Sequence, residues 1–251
     1  MVNRKEDQGL AAIEKIKEEA GNDAMIEWIL CDMGNLEQIR QTFTKFREQE
    51  ERLDIVSCSF RRNQRKPVGR DDRISSGISG NLLGQFYVCN QLFPLLRKTS
   101  KLPDTPAPRI VFESSEQHRM APSDVHLASL DEISNSKVGN LQLYCRTKLA
   151  ISLGVKYGLL ERVIRPNNDN IYTLSVHPGA VGCFSALYAA TSPEIVEKDW
   201  NGYYFTDPGQ PAKESSQASD PGLGSALWYL SELIIKDRLG QGALVDWGPK
   251  V

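Results

Sequence analysis

With 251 residues the chain is long enough for one domain with a sizeable core, and a formal net charge of −2 with a pI near 6.0 gives no global reason to expect nucleic acid or an anionic membrane surface as partner. No apolar run approaches the roughly 18 residues that span a bilayer, and the start MVNRKEDQ lacks the apolar core of a signal peptide, so a cytoplasmic protein is expected. Cys31, Cys58, Cys89, Cys145 and Cys183 show no paired-ligand spacing, which points to free thiols acting as small buried hydrophobes rather than to disulfides or a zinc site.

Strand-like and helix-like patterns alternate, the signature of a parallel sheet covered by helices. Asp7 to Ala20 reads as a helix stopped at Gly21, Met25 to Leu30 as a strand closing on Cys31 and Asp32, and Asn35 as the N-cap of a helix running to about Gln49. Leu53 to Cys58 predicts a short buried strand, Ile78 to Lys98 a helix, and RIVFESS (Arg109 to Ser115) a strand ending in two serines. A helix follows over Leu141 to Val163, then a strand over Ile171 to His177 that enters the turn HPGAV, a helix over Pro221 to Lys236 and a last strand over Ala243 to Trp247. No internal repeat breaks the chain, so residues 1–251 are taken as a single domain.

The helix LQLYCRTKLAISLGVKYGLL carries Tyr144 and Lys148 four residues apart, so phenol and ammonium project the same way. A cation beside a phenol favours the phenolate, lowering a pKa of about 10 and making the tyrosine a usable proton donor and acceptor near neutral pH. Taken alone the pair is common in helices. His118 and His126, in EQHRMAPSDVH, lack an acidic third ligand at suitable spacing, and no metal is expected.

Asn81 in a helix, the serine pair of RIVFESS, the Tyr144/Lys148 pair and SVHPGAV, in this order and spacing, resemble the short-chain dehydrogenase/reductase family. The likeness covers most of the chain and is closest to the retinol-dehydrogenase-like and WW-domain-oxidoreductase-like branch, including its fungal members. It implies an α/β fold, a single-domain, doubly wound, Rossmann-like parallel sheet, and hydride transfer with a nicotinamide cofactor. By the same resemblance Tyr144 would move the proton, and Lys148 would tune it and reach the nicotinamide ribose. Ser115 would hold the substrate oxygen, and Asn81 would hold a water near Lys148. Asp32 would meet the adenine amine, Arg4 would pair with the 2′-phosphate of NADP, preferred here over NAD, and Pro178 and Gly179 would bring backbone close to the nicotinamide. His177 reads as a strand-end residue.

The sequence departs from the family pattern in three places. No glycine-rich turn opens the chain, where Gly9 is isolated and Met1 to Arg4 resembles the tail of the family's second strand. The first strand and its phosphate cradle are then expected to be missing, leaving two strand edges uncovered. The family's Asn-Asn-Ala-Gly turn is replaced by Ser57-Cys58-Ser59-Phe60, followed by an arginine-rich stretch (Arg61 to Gly77) read as a solvated loop rather than a phosphate grip. Cys183 stands near the family's threonine, and the segment that lids the substrate is shortened before ALYAATSPE.

The sequence therefore predicts an NADP-dependent oxidoreductase acting on a hydroxyl or ketone of a small apolar molecule, such as a lipid, a retinoid-like compound or a secondary metabolite. The alternative is a non-catalytic or decayed family remnant acting through protein association. The family's habit of pairing through helices beside the sheet implies a homodimer.

Overall fold

β4 (Arg109–Glu113) and β5 (Tyr172–Val176) form the buried heart of the molecule, seen in a computed structural model that describes residues 1–59, 79–134, 136–179 and 183–248. Their register is parallel, Arg109 opposite Tyr172 and Glu113 opposite Val176, and β3 (Ile55–Cys58) pairs with β4 on the other side in the same sense. β6 (Tyr204–Asp207) adds parallel to β5, and β7 (Gln210–Ala212) folds back antiparallel on β6. The resulting sheet has the order β3-β4-β5-β6-β7. A separate two-stranded parallel sheet joins β1 (Val2–Asn3) and β2 (Ile29–Leu30). Among the described residues β1 pairs only with β2, and β3 only with β4.

Side-chain alternation explains the layers. Ile110 and Phe112 of β4 point into one core with Phe93 of α3 (Gln85–Thr99) and Ile151 of α4 (Asn140–Leu153). Val111 points the opposite way, where it meets Leu174, Val176 and Phe205 together with Ala189 of α5 (Phe184–Thr191). This sheet flanked by helices on both faces is the Rossmann-like α/β architecture expected. α4 is buried around nearly its whole circumference from Leu143 to Leu153, because the sheet lies on one side and α6 (Pro221–Leu239) on another. It continues as a π helix over Gly154–Ile164, and α3 is preceded by a π-helical turn over Ser79–Gly84.

Local rules set several helix ends. α1 (Glu6–Ala20) stops at Gly21, which has φ 104 and donates to Lys17 O. Asn35 caps α2 (Leu36–Gln49) by accepting from Gln38 N at 3.1 Å. Asp220 caps α6, accepting from Gly222 N at 2.7 Å, with Pro221 in the first turn. The smaller sheet is attached through a core in which Cys31 and Met33, just past β2, meet Ile39 and Phe43 of α2 and Tyr87 and Val88 of α3.

Three expectations are corrected. Ala243 to Trp247 is not a strand: side chains of α3 occupy its backbone instead, with Asn90 bonded both to Val245 N and to Val245 O at 2.9 Å, Tyr87 donating to Ala243 O and Arg97 to Trp247 O. Beyond β5 the sheet is instead completed by the β6/β7 hairpin. Met25 to Trp28 is irregular, with strand geometry confined to Ile29–Leu30, and Met25 is fully exposed. Of the five free cysteines four are buried as expected, whereas Cys183 is exposed because it sits at the turn that starts α5. The arginine-rich stretch 61–77, Phe60 and the Ala180 to Gly182 part of the PGAV turn lie outside the described residues. Among the described residues no helix is long and apolar enough to cross a membrane.

Candidate active site

The carboxyl ends of β3, β4 and β5 are level with one another, since Cys58 lies opposite Phe112 and Glu113 opposite Val176. In open α/β sheets this edge is where ligands bind. The end of β4 is fastened to α4 by three contacts around one residue. Lys148 Nζ donates to Glu113 O at 2.6 Å, Ser114 Oγ donates to Lys148 O at 3.0 Å, and the hydroxyls of Ser114 and Ser152 are 2.8 Å apart. Lys148 is only 4% exposed, and a buried ammonium requires such partners. A second is the ring of Tyr144, whose centroid is 5.5 Å from Nζ, so the phenol and the ammonium of this helix do share one environment.

Ser115 is the next residue along. Its Oγ accepts from Gln117 N at 3.2 Å and so caps the 3-10 turn Glu116–Met120, which packs against α4. The turn-capping role does not exclude a second use, because an accepted bond leaves the hydroxyl hydrogen free to be donated. The Tyr144 side chain is half-buried, and its hydroxyl has no hydrogen-bond partner among the described residues. A phenol, a serine hydroxyl and a buried ammonium thus border one strand end.

At the end of β5, His177 N donates to Phe205 O at 2.7 Å, which holds the strand in the sheet up to its last residue. Pro178 follows half-buried, and Gly179 is exposed at φ 65, a left-handed conformation that L side chains resist. A Cβ built on Gly179 would meet nothing within 4 Å among the described residues, which leave its backbone open to close approach. The buried Nδ1 of His177 has no hydrogen-bond partner among the described residues.

The remaining expected site residues belong to the smaller sheet. Asp32, just past β2, accepts from Gly34 N at 2.9 Å while its own N–H donates to Gln38 Oε1, which is the geometry of a strand-end turn. Arg4 follows β1 and is exposed, on the same carboxyl edge as Asp32 because Asn3 lies opposite Leu30. Asn81 falls within the π-helical turn 79–84, and its side chain lies outside the described residues. Among the described residues no group of three or more His, Cys, Asp or Glu could hold a metal ion.

Two site-bordering residues were given no role in the site from the sequence, His118 having been weighed only as a metal ligand and set aside. Ser114, the first of the serine pair, locks β4 to α4; the doubled serine at a strand end was its only signal. His118 is fully buried beneath Ser115, with Nδ1 2.7 Å from Ser115 O, and no local pattern marks it, since its other partner lies far along the chain. Nearby, Arg119 beside Glu116 holds that carboxyl below its usual range, and burial followed by the Glu116 contact pushes the Tyr204 phenol well up.

The fold is a Rossmann-like α/β sheet with its candidate site at the carboxyl edge of the strands. No family model matches the chain. It is 25% identical over 259 residues to a short-chain dehydrogenase/reductase of Armillaria gallica, covering 93% of this chain and 81% of that protein. It is 26% identical to the WW domain-containing oxidoreductase of Gallus gallus (93% of this chain, 61% of that one) and 26% identical to polyprenol dehydrogenase of Danio rerio (87% and 65%). A solved structure from Mycobacterium paratuberculosis matches with a TM-score of 0.69 at 23% identity, over 93% of this chain and 82% of that one. Two further structures of this fold were solved with cofactor: a gluconate 5-dehydrogenase of Burkholderia cenocepacia with NADP (TM-score 0.55, 15% identity, 83% of each chain) and an NADH-dependent reductase with NAD (0.59, 13%, 82% of each). The chain is thus similar in sequence to proteins named short-chain dehydrogenases/reductases and other oxidoreductases, and shares their fold.

Proposed function

We propose that this protein transfers a hydride between NADP(H) and the hydroxyl or ketone of a small apolar molecule. The observation that carries the reading is the buried Lys148 ammonium set against the Tyr144 ring, at the end of a strand that is followed by Ser114 and Ser115.

The residues present suit the nicotinamide end of the cofactor. Gly179 offers approachable backbone, His177 Nδ1 is a buried polar atom without a partner among the described residues, and Lys148 stands where a ribose hydroxyl could reach it. A nicotinamide bound there supplies the hydride or takes it up. The chain's part is the proton and the charge. Tyr144 gives its phenolic proton to the carbonyl oxygen in reduction and removes the hydroxyl proton in oxidation. Lys148 stabilises the phenolate left behind, and Ser115 donates to the same oxygen as negative charge develops on it. Asn81 is proposed to hold the water that returns the proton to Tyr144 by way of Lys148.

Arg4, exposed beyond β1, supports the preference for NADP over NAD, since a guanidinium matches phosphate geometry; Asp32 beside it is assigned to the adenine. Exposed Phe184 and Leu187 on α5, just beyond the Pro178-Gly179 turn, support an apolar substrate, and the name of the polyprenol dehydrogenase relative points to the same class. Free cysteines fit a reducing compartment such as the cytoplasm. A homodimer through α3 and α4 would have to accommodate α6, whose Trp228 and Leu227 already pack into their cores.

The second reading, a non-catalytic remnant that works by association, is favoured by β1 and β3, each paired on one side only among the described residues. Titration with NADPH, followed by nicotinamide fluorescence, separates the two. Saturable binding in the micromolar range is expected, and no binding at millimolar concentration would leave the oxidoreductase reading without support.

A further inference from the structure

His118 sits where two distant parts of the chain meet. Its Nδ1 is 2.7 Å from Ser115 O, and its Nε2 is 3.1 Å from Ser215 N. A backbone N–H can only donate and a carbonyl can only accept, so Nε2 must carry the lone pair and Nδ1 the proton. Both contacts hold together only in that one neutral tautomer. A second proton would set an Nε2–H against the Ser215 N–H and break the bond.

The segment Lys213 to Ser219, which links β7 to α6, is tied down as a strap across the site side of the molecule. Arg119 donates to Lys213 O at 2.6 Å, Gln217 Nε2 to Pro122 O at 2.8 Å and Tyr157 OH to Ser219 O at 2.7 Å, and Lys156 pairs with Glu214 at 3.4 Å. Of these tethers, the His118 contact alone ends on the backbone of Ser115. We infer that His118 is a positioning residue: as a neutral imidazole it clamps the Ser115 carbonyl to the strap and so fixes where the Ser115 hydroxyl stands.

The consequence for turnover rests on the oxidoreductase reading; the clamp itself does not. The groups facing the ring are Glu116 and Arg119 from its own turn, Glu214 from the strap and the Tyr204 phenol, whose ring lies edge-on at 5.1 Å and whose hydroxyl donates to Glu116. The two carboxylates favour the imidazolium and Arg119 opposes it, while burial outweighs them and keeps the ring neutral.

The test has an arm for each part. Nitrogen-15 spectra of the imidazole between pH 8 and 5 are expected to show the Nδ1–H tautomer, with a midpoint below the usual value of about 6.5 and the Ser215 and Gln117 amide signals moving on the same midpoint. In kinetics with NADPH and a ketone, the low-pH limb of kcat/KM is expected to follow that midpoint. His118→Asn, which keeps a donor to Ser115 O and loses the Nε2 acceptor, is expected to abolish that limb and lower kcat about tenfold, the scale of a small misplacement, with NADPH affinity unchanged. An Nε2–H tautomer, a Ser215 amide indifferent to the titration, or an unaltered limb in H118N would overturn the inference. Absence of NADPH binding by the unmodified protein would instead remove the oxidoreductase reading and leave the spectra to decide the clamp.

Discussion

Replacing Lys148 by Met tests the site at its centre. The ammonium lies 2.6 Å from Glu113 O and 5.5 Å from the Tyr144 ring centroid, and the residue is 4% exposed. A hydrogen bond from a charged donor contributes about 1.5–3 kcal/mol, and a cation facing a ring in a desolvated place about 1–2 kcal/mol. Both are lost in Lys148→Met, Glu113 O is left without this donor, and relief from burying a charge offsets part of the loss. The net expectation is a stability loss of about 1–3 kcal/mol, read from denaturant midpoints. Turnover should suffer more than that figure suggests, because an unassisted phenol near neutral pH is a poor base. A fall of at least about 100-fold in kcat, roughly 2.7 kcal/mol of barrier, is expected. Tyr144→Phe is the control: it removes a hydroxyl with no partner among the described residues, so stability should hold while turnover falls comparably. Should Lys148→Met keep turnover within threefold of the starting protein while Tyr144→Phe abolishes it, the coupling between the two residues would be refuted.

Further outcomes follow from buried groups elsewhere. Among the described residues both amide atoms of Gln85 are buried without partners, beside a cavity of about 40 Å³ bordered by Phe112, Ile151 and Trp228. Gln85→Leu should therefore raise stability by about 1–3 kcal/mol, the desolvation cost of an unsatisfied group, measurable as a higher denaturant midpoint. Arg97 holds Asp169 with bonds of 2.7 and 2.6 Å while also donating to Trp247 O. Arg97→Met strands a carboxylate whose side chain is 5% exposed and should cost about 3–5 kcal/mol, whereas Arg97→Met with Asp169→Asn should recover part of it. The His118 pKa is lowered in the folded state by burial, so the unfolded chain binds the extra proton first. Its contribution to stability is present above the ordinary value near 6.5 and is lost as pH falls through the lower folded value. The melting temperature should drop over that range, and a drop of the same size in His118→Asn would contradict the assignment.

Much of this was legible in the chain itself. The alternation of Ile110, Val111 and Phe112 fixes which face of β4 meets which core, and period-four spacing fixes that Tyr144 and Lys148 share a side of α4. Asn35, Gly21 and Asp220 end or begin helices for reasons contained in their own side chains and dihedrals. Spacing could not reveal that the backbone of Ala243 to Trp247 would be taken up by Asn90, Tyr87 and Arg97, because that competition between a strand ladder and helix side chains is settled by residues about 150 positions away. Nor could it reveal that Lys148 bonds a strand-end carbonyl or that His118 joins Ser115 to Ser215.

The division has one physical cause. Periodicity, caps and turn chemistry are short-range properties, carried by a few neighbouring residues, so the helices, the buried strands β4 and β5 and the pairing of phenol with ammonium were determined by the sequence alone. A buried polar group must find its partner wherever packing brings one, so the donors and acceptors around Ser115, Lys148 and His118 were decided only when the sheet, α4 and the strap closed on one another.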